Sequence, residues 1–231
     1  VIAIFALALI LWFTEAIPSW TTSMLIVVIM LLTCTDSSFS FLREGENLGK
    51  LLSHKAVMAA FADPTIMLFM GGFVIAIIAS KMGIDVQLAR VLLLPFGKRS
   101  EFVLLGFILV TGIFSMFISN TATAAMMLTF MAPVLRQLPA DDKGRIGLVM
   151  AIPIGANIGG MATPVGTPPN AIALKYLNDP AGLGFNIGFG DWAMVMMPFT
   201  ILLLILAWLL LIKLFPFKDK EISLNIEGET A

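Results

Sequence analysis

The sequence predicts an all-α integral membrane protein, and three observations lead to that fold class. Hydrophobic residues make up 59% of the chain and charged residues only 13%, whereas soluble domains carry about 25% charged residues. The apolar residues form runs of helical length that are separated by short polar segments. Two of these runs are interrupted near their centres, which predicts a re-entrant helical hairpin and a broken transmembrane helix.

The same composition excludes several classes of function. The net charge is -1 and no basic run is present, so we expect no nucleic-acid binding. One cysteine cannot form an internal disulfide, and we expect the lone His54, in a polar loop, to be solvated. The apolar segments contain no Asp pair, no His-Glu-x-x-His motif and no nucleophile beside a base, so we expect no enzyme.

Residues 1–80 are predicted to hold helices and an extramembrane loop. The predicted helices cover 1–17, 20–34 and 65–80, and the loop covers 36–63. Pro18 marks the break after the first helix. Gly71 and Gly72 would let another helix approach the third one closely.

Residues 81–100 predict an amphipathic helix that lies along the membrane interface and connects the two parts of the chain. Its apolar face would carry Ile84, Leu88, Val91 and Leu92. Its polar face would carry Lys81, Asp85 and Arg90.

Residues 101–135 form the predicted hairpin. The apolar stretch 102–135 is too long for one crossing of about 20 residues and too short for two. Its polar cluster lies where the two arms would meet, so we expect Ser119, Asn120 and Thr121 at a tip within the membrane.

Residues 146–177 form the predicted broken helix, because no continuous helix tolerates their density of proline and glycine. Its unwound middle is expected at 163–170. A final span is predicted at 192–214, followed by a cytoplasmic tail at 215–231.

Three groups of basic residues indicate the topology. They precede the hairpin (Lys81, Arg90, Lys98, Arg99), follow it (Arg136, Lys143, Arg145) and close the chain (Lys213, Lys218, Lys220). The positive-inside tendency places all three in the cytoplasm, so the hairpin would enter and leave on one side.

The two breaks predict a binding site. Unwound carbonyls and side-chain oxygens suit a small hard cation, and the lack of a carboxylate favours a monovalent ion such as Na⁺. Helix N-termini would face an anion. The alternative is that Ser119, Asn120, Thr121 and Thr123 only cap a helix.

Two motifs carry a family resemblance. They are Ser115-Met116-Phe117-Ile118-Ser119-Asn120-Thr121-Ala122-Thr123 and Gly159-Gly160-Met161-Ala162-Thr163-Pro164-Val165-Gly166-Thr167-Pro168-Pro169-Asn170. With Phe13-Thr14-Glu15-Ala16-Ile17-Pro18, they resemble the divalent anion/sodium symporter family of dicarboxylate, citrate and sulfate carriers.

The resemblance implies the first of two inverted repeats of an elevator-type transporter that works as a homodimer, with the second repeat missing from this chain. It implies Na⁺ ligands at Ser115, Ser119, Asn120 and Gly166. It implies contacts to a dicarboxylate-type anion at Ser119, Asn120, Thr121, Thr167 and Pro168.

We therefore expect the N-terminal half of a sodium-coupled dicarboxylate carrier in a membrane of the bacterial inner-membrane type. The chain starts inside an apolar run without Met, so we expect it to be a piece of a longer protein. A sodium-independent exchanger, a sulfate carrier and a structural membrane subunit remain alternatives. The sequence leaves the preferred anion and the Na⁺ stoichiometry open.

Overall fold

The computed structural model describes residues 2–39, 51–62, 64–180 and 182–222. These residues form helices, with no strand among them beyond two isolated bridges, so the all-α class is confirmed for the described chain. The α-helices are α1 (Ile2–Thr14), α2 (Ser19–Thr33), α3 (His54–Ala59), α4 (Pro64–Lys81), α5 (Ile84–Leu93), α6 (Ser100–Ser115), α7 (Asn120–Leu135), α8 (Gly144–Gly159), α9 (Pro168–Asn178) and α10 (Phe189–Leu214). Short 3-10 turns lie at Ala60–Ala62 and Leu94–Phe96.

The chain divides into two compact units, residues 1–66 and 67–231. In the first unit, α1 and α2 pack against each other. Glu15 has a positive φ of 49°, an uncommon value for a residue with a side chain, directly after α1. Pro18 then precedes α2, so the chain reverses between the two helices.

His54 is 41% exposed, as expected of a solvated side chain, and it also has a hydrogen-bond partner in this first unit. Its backbone N–H donates to Asp36 Oδ1 at 2.9 Å, and its Nδ1 lies 2.6 Å from the same oxygen. These hydrogen bonds hold the pKa of the Asp36 carboxyl below its ordinary value. The predicted loop at 36–63 contains α3, while its residues 40–50 and 63 lie outside the described residues.

The core of the second unit is built on α6 and α8, which pack along each other and against α10. Small residues make the approach close. A Cβ added at Gly155 would lie 2.8 Å from the Ile108 carbonyl oxygen, and one at Gly159 would lie 2.3 Å from that of Gly112. Gly155 and Gly159 form a small-xxx-small pattern, the arrangement that lets helix backbones touch.

Helices α4 and α5 form a bent pair in which residues 70–81 and 84–96 meet at 78°. Gly83 makes the corner with a φ of 67°, which glycine adopts without steric cost. Gly71 and Gly72 have no described atom within 4 Å of an added Cβ, so the predicted close helix approach there is wrong for the described chain. Both glycines line an open apolar cavity instead.

Helix α5 is amphipathic, as predicted, but one polar residue was assigned to the wrong face. Ile84, Leu88 and Val91 are exposed, whereas Asp85 is 7% exposed and faces the protein with Ala89 and Leu93. The apolar face of an interfacial helix points to lipid, so the opposite face packs on the protein and buries Asp85.

Members of the three groups of basic residues converge at one end of the second unit. Ser100 N–H donates to the Lys220 carbonyl at 3.1 Å, and Ile222 N–H donates to the Lys98 carbonyl at 2.7 Å. The Lys218 ammonium forms an ion pair with Asp141, which lowers the pKa of that carboxyl and raises the pKa of Lys218. Residues 215–222 therefore run across the start of α6 and the turn before α8.

Among the described residues, α10 is long and apolar enough to cross a membrane, and the number rises to two if the bent pair of α4 and α5 counts as one span. Helices α1, α2, α6, α7 and α8 are apolar but shorter, at 10–17 residues. A full crossing needs about 20 residues, so α6, α7 and α8, with 16 residues each, are somewhat shorter than a full crossing.

Candidate functional site

The first break in the second unit separates α6 from α7 at residues 116–119. Ser119 has an extended backbone (ψ 143°), and its Oγ accepts the Ala122 N–H at 3.3 Å. This is an N-cap, which satisfies one of the free amides of the new helix. The Ser119 side chain therefore caps α7 in this structure.

The second break separates α8 from α9 at residues 160–167. The predicted unwound segment, 163–170, is shifted by three residues. Pro168 and Pro169 belong to the first turn of α9, where proline fits because the first N–H groups of a helix have no partner within it. Pro153 lies inside α8 without ending that helix.

Thr163 joins the two breaks. Its hydroxyl donates to the Met116 carbonyl at 2.5 Å and accepts the Gly166 N–H at 3.1 Å. Asn170 holds the second break closed from the other side, because its Nδ2 donates to the carbonyls of Gly160 (2.8 Å) and Thr163 (2.9 Å). All of these groups are buried, so each hydrogen bond also avoids the cost of a buried polar atom without a partner.

The centre of the site is the Asn120 side chain. Its Oδ1 accepts the Ser115 hydroxyl at 2.6 Å, and its Nδ2 donates to Asn157 Oδ1 at 3.0 Å. Gly160 lies between this side chain and the second break. A Cβ added at Gly160 would be 2.7 Å from Asn120 Oδ1, and one added at Gly166 would be 2.4 Å from the Gly160 carbonyl oxygen.

Three of the predicted site residues, Ser115, Asn120 and Gly166, are thus brought together around Gly160. Thr121 and Pro168 are exposed and Thr167 is half-buried. Among the described residues, no hydrogen bond joins the side chains of these three to the central group.

The electrostatics of the site come from neutral groups. Neither break contains a charged residue. At the start of α7, the backbone N–H groups of Asn120 and Thr121 have no acceptor within the described ranges. Pro168 and Pro169 have no N–H to offer at the start of α9. The positive end of a helix dipole is therefore available chiefly at α7.

Sequence reasoning missed Asn157 and gave Thr163 and Asn170 no role. Asn157 could have been noticed, because a single amide inside an otherwise apolar helix needs a partner. The bonds of Thr163 and Asn170 depend on how the second break folds back, which local pattern does not reveal.

Comparison with known proteins identifies the family of this chain. The model of the citrate transporter family matches residues 9–226, which include both breaks and the helices around them. The chain belongs to this family. The resemblance to dicarboxylate, citrate and sulfate carriers inferred from the motifs is thereby confirmed.

Two relatives are similar to this chain over most of its length. An uncharacterized transporter of Schizosaccharomyces pombe is 34% identical over 225 residues, which are 96% of this chain and 24% of that protein. The sodium-dependent dicarboxylate transporter SdcS of Staphylococcus aureus is 32% identical over 212 residues, 87% of this chain and 37% of the transporter. The chain therefore spans well under half the length of either relative.

Proposed function

We propose that this chain is the first half of a sodium-coupled secondary transporter of dicarboxylate-type anions. The observation that carries the proposal is the meeting of Ser115, Asn120 and Gly166 around Gly160, at two helix breaks that contain no charged residue. Its relation to SdcS, whose name states sodium-dependent dicarboxylate transport, supports the same function.

The lengths of the helices support a site inside the membrane. Helix α6 has 16 residues, or about 24 Å at 1.5 Å per residue. It starts at the end where the basic residues gather, and the hydrocarbon core is about 30 Å thick. The tip at 116–119 would then lie within the core, with α7 returning to the same end as the second arm of a re-entrant hairpin.

Na⁺ would be held by oxygens from both breaks. The candidates are the hydroxyls of Ser115 and Ser119, Asn120 Oδ1 and the Gly166 carbonyl. Hard cations prefer such oxygen donors. The present bond from Ser115 to Asn120 already points two of these oxygens at each other across 2.6 Å. A cation bound to both oxygens would replace that hydrogen bond, and the two side chains would have to move apart to admit it.

A carboxylate of the substrate would bind at the start of α7. The free amides of Asn120 and Thr121 and the helix dipole favour an anion there. The bound Na⁺ would add positive charge nearby, so the binding of each ligand would strengthen the binding of the other. Ser119, Thr167 and Pro168 are the further substrate contacts that we propose from the family motifs.

The complete transporter requires more than this chain. We propose that a second inverted repeat supplies the rest of the anion site. In that arrangement residues 1–80 form scaffold, 81–100 connect it to the transport half at 101–214, and 215–231 are a tail. The assembly would be a multi-pass homodimer of the elevator type, surrounded by lipid in a bacterial inner membrane.

Uptake of radiolabelled succinate by cells expressing the full-length gene product tests this function. Wild type is expected to take up succinate in sodium medium and to lose uptake when choline replaces sodium. Asn120→Ala removes the central oxygen and is expected to abolish uptake, although the protein still reaches the membrane.

Asn186→Ala is the matched control, because Asn186 is an exposed asparagine in the loop before α10. It should transport as wild type does. Equal uptake in sodium and choline would show a sodium-independent exchanger and not a symporter. Uptake of sulfate without uptake of succinate would show that sulfate is the substrate. Near-normal uptake by Asn120→Ala would refute the site.

A further inference from the structure

Asn157 is the single polar side chain of α8 beyond Arg145 in its first turn. It lies on an exposed face of that helix. Its Oδ1 accepts a hydrogen bond from Asn120 Nδ2 at 3.0 Å, and its side chain makes no other hydrogen bond within the described residues. In an apolar helix of a membrane protein such a group is a candidate for function.

The two ends of the Asn120 amide differ in chemistry but hardly in shape. Its Oδ1 can coordinate a cation, whereas its NH₂ group has only donors to offer. The Ser115 hydroxyl donates to Oδ1 here, but a hydroxyl can equally accept from an NH₂ group. Gly160 restricts the volume beside the amide and not its chemistry. The choice between the two ends therefore depends on what the opposite end of the amide meets.

The Asn157 oxygen meets that opposite end. Because it accepts from Asn120 Nδ2, Asn120 Oδ1 is directed at Ser115, on the side where the Na⁺ ligands are proposed. Reversing the Asn120 amide alone would bring two carbonyl oxygens together. Reversing both amides would keep their hydrogen bond but would turn an NH₂ group toward the ion. A bound cation is thus compatible only with the observed arrangement, which needs an acceptor at position 157.

We propose that Asn157 is a positioning residue of the cation site, which keeps the Asn120 carbonyl oxygen directed at the ion by accepting the other end of the same amide. This inference rests on the proposed function, because it needs Na⁺ at Asn120 Oδ1. Asn157 acts through Asn120 and is not itself a ligand of the ion. The hydrogen bond also polarises the amide, which makes Asn120 Oδ1 a stronger ligand.

Equilibrium binding of ²²Na⁺ to the full-length protein in lipid nanodiscs, without a substrate, tests the proposal. Asn157→Leu removes the acceptor and should raise the Kd of one Na⁺ site about 3- to 10-fold. Asn157→Asp keeps an acceptor and has no donor, so it should bind Na⁺ at least as tightly as wild type. Asn186→Leu is the matched control, because it makes the same change at an exposed asparagine in the loop before α10, and it should bind as wild type does.

A double-mutant cycle separates positioning from a general effect on structure. Asn120→Asp gives the side chain two equivalent oxygens, so its orientation no longer matters. Adding Asn157→Leu to Asn120→Asp should therefore not raise the Kd further. A merely structural role of Asn157 would weaken binding to the same extent in both backgrounds.

The outcomes distinguish this inference from the proposed function. If Asn120→Ala weakens Na⁺ binding but Asn157→Leu binds as wild type does, the role of Asn157 is overturned while the cation site stands. Equal weakening by Asn157→Leu and Asn157→Asp would also overturn it, since only one of them lacks an acceptor. If Asn120→Ala binds Na⁺ as wild type does, the cation site falls and this inference falls with it. If Asn157→Leu does not fold, Asn157→Ala makes the same test.

Discussion

Gly160→Ala is the substitution that tests the site geometry without removing any polar group. Gly160 has φ -58° and ψ -18°, which alanine adopts readily. The new Cβ would lie 2.7 Å from Asn120 Oδ1, whereas ordinary van der Waals contact begins at 3.4 Å. The amide oxygen must therefore retreat by about 0.7 Å. That movement disturbs the 2.6 Å hydrogen bond that it accepts from the Ser115 hydroxyl.

The expected cost to folding is small and the expected cost to binding is large. Overpacking costs about 1–3 kcal/mol, and replacing glycine returns about 0.4–1 kcal/mol by restricting the unfolded chain. The protein should therefore lose no more than about 2–3 kcal/mol of stability. A functional group displaced by nearly 1 Å can lose about 100-fold in effect. We expect the apparent affinity for Na⁺ to fall about 10- to 100-fold.

A sodium titration of succinate uptake by the full-length protein measures this affinity. Gly190→Ala is the matched control, since Gly190 lies in the first turn of α10 with no atom within 4 Å of an added Cβ. It should leave the sodium dependence unchanged. A half-saturating sodium concentration of Gly160→Ala within about twofold of the wild-type value would contradict the proposal that Asn120 Oδ1 binds Na⁺ at this position.

Two further predictions concern the contacts of the Asn170 side chain and the ion pair that holds residues 215–222 in place. Asn170→Ala leaves the buried carbonyls of Gly160 and Thr163 without their donor, so thermal unfolding should show a loss of about 2–4 kcal/mol, whereas Asn186→Ala should not. The ion pair between Asp141 and Lys218 should protect the amides of residues 218–222 from hydrogen exchange, once intrinsic rates are removed. This protection should fall below pH 3.8 and again above pH 10.5.

The sign of the pH effect follows from the two shifts. The Asp141 pKa is lowered, so its contribution is complete above the ordinary value of 3.8 and is lost as pH falls through the lowered one. The Lys218 pKa is raised, so its contribution is complete below 10.5 and is lost as pH rises through the raised value. Lys218→Gln should lower protection at neutral pH, with Lys220→Gln as control. Equal exchange in Lys218→Gln and wild type at neutral pH would contradict the assignment.

The sequence was most informative where a local rule has few exceptions. A Ser-Asn-Thr cluster inside an apolar run interrupts a helix, and α6 and α7 are separate at that point. Dense proline and glycine unwind a helix, and α8 ends before α9 begins. The predicted limits of the second break were wrong. Proline disfavours the interior of a helix, but it also fits in the first turn, as Pro168 does in α9.

Features that depend on packing between distant segments were not predictable. Asp85 was placed on a polar outer face because periodicity distinguishes two sides of a helix but does not say which one meets protein. The partner of His54 lies 18 residues away, across a polar loop. Gly71 and Gly72 have the composition of a close helix contact but lack the neighbour that would use it in the described chain.

The contact between Gly112 and Gly159 limits how the second unit could deform. Bare backbone meets bare backbone there, so a slide of one residue would drive Thr111 or Ile113 into a gap that has no room for a methyl group. The contact therefore holds α6 and α8 at one relative position, and a ligand bound between the two breaks would move together with both helices. If the proposed function is right, the conformational change that releases this ligand takes place at the outer surfaces of α6 and α8, not at the contact between them.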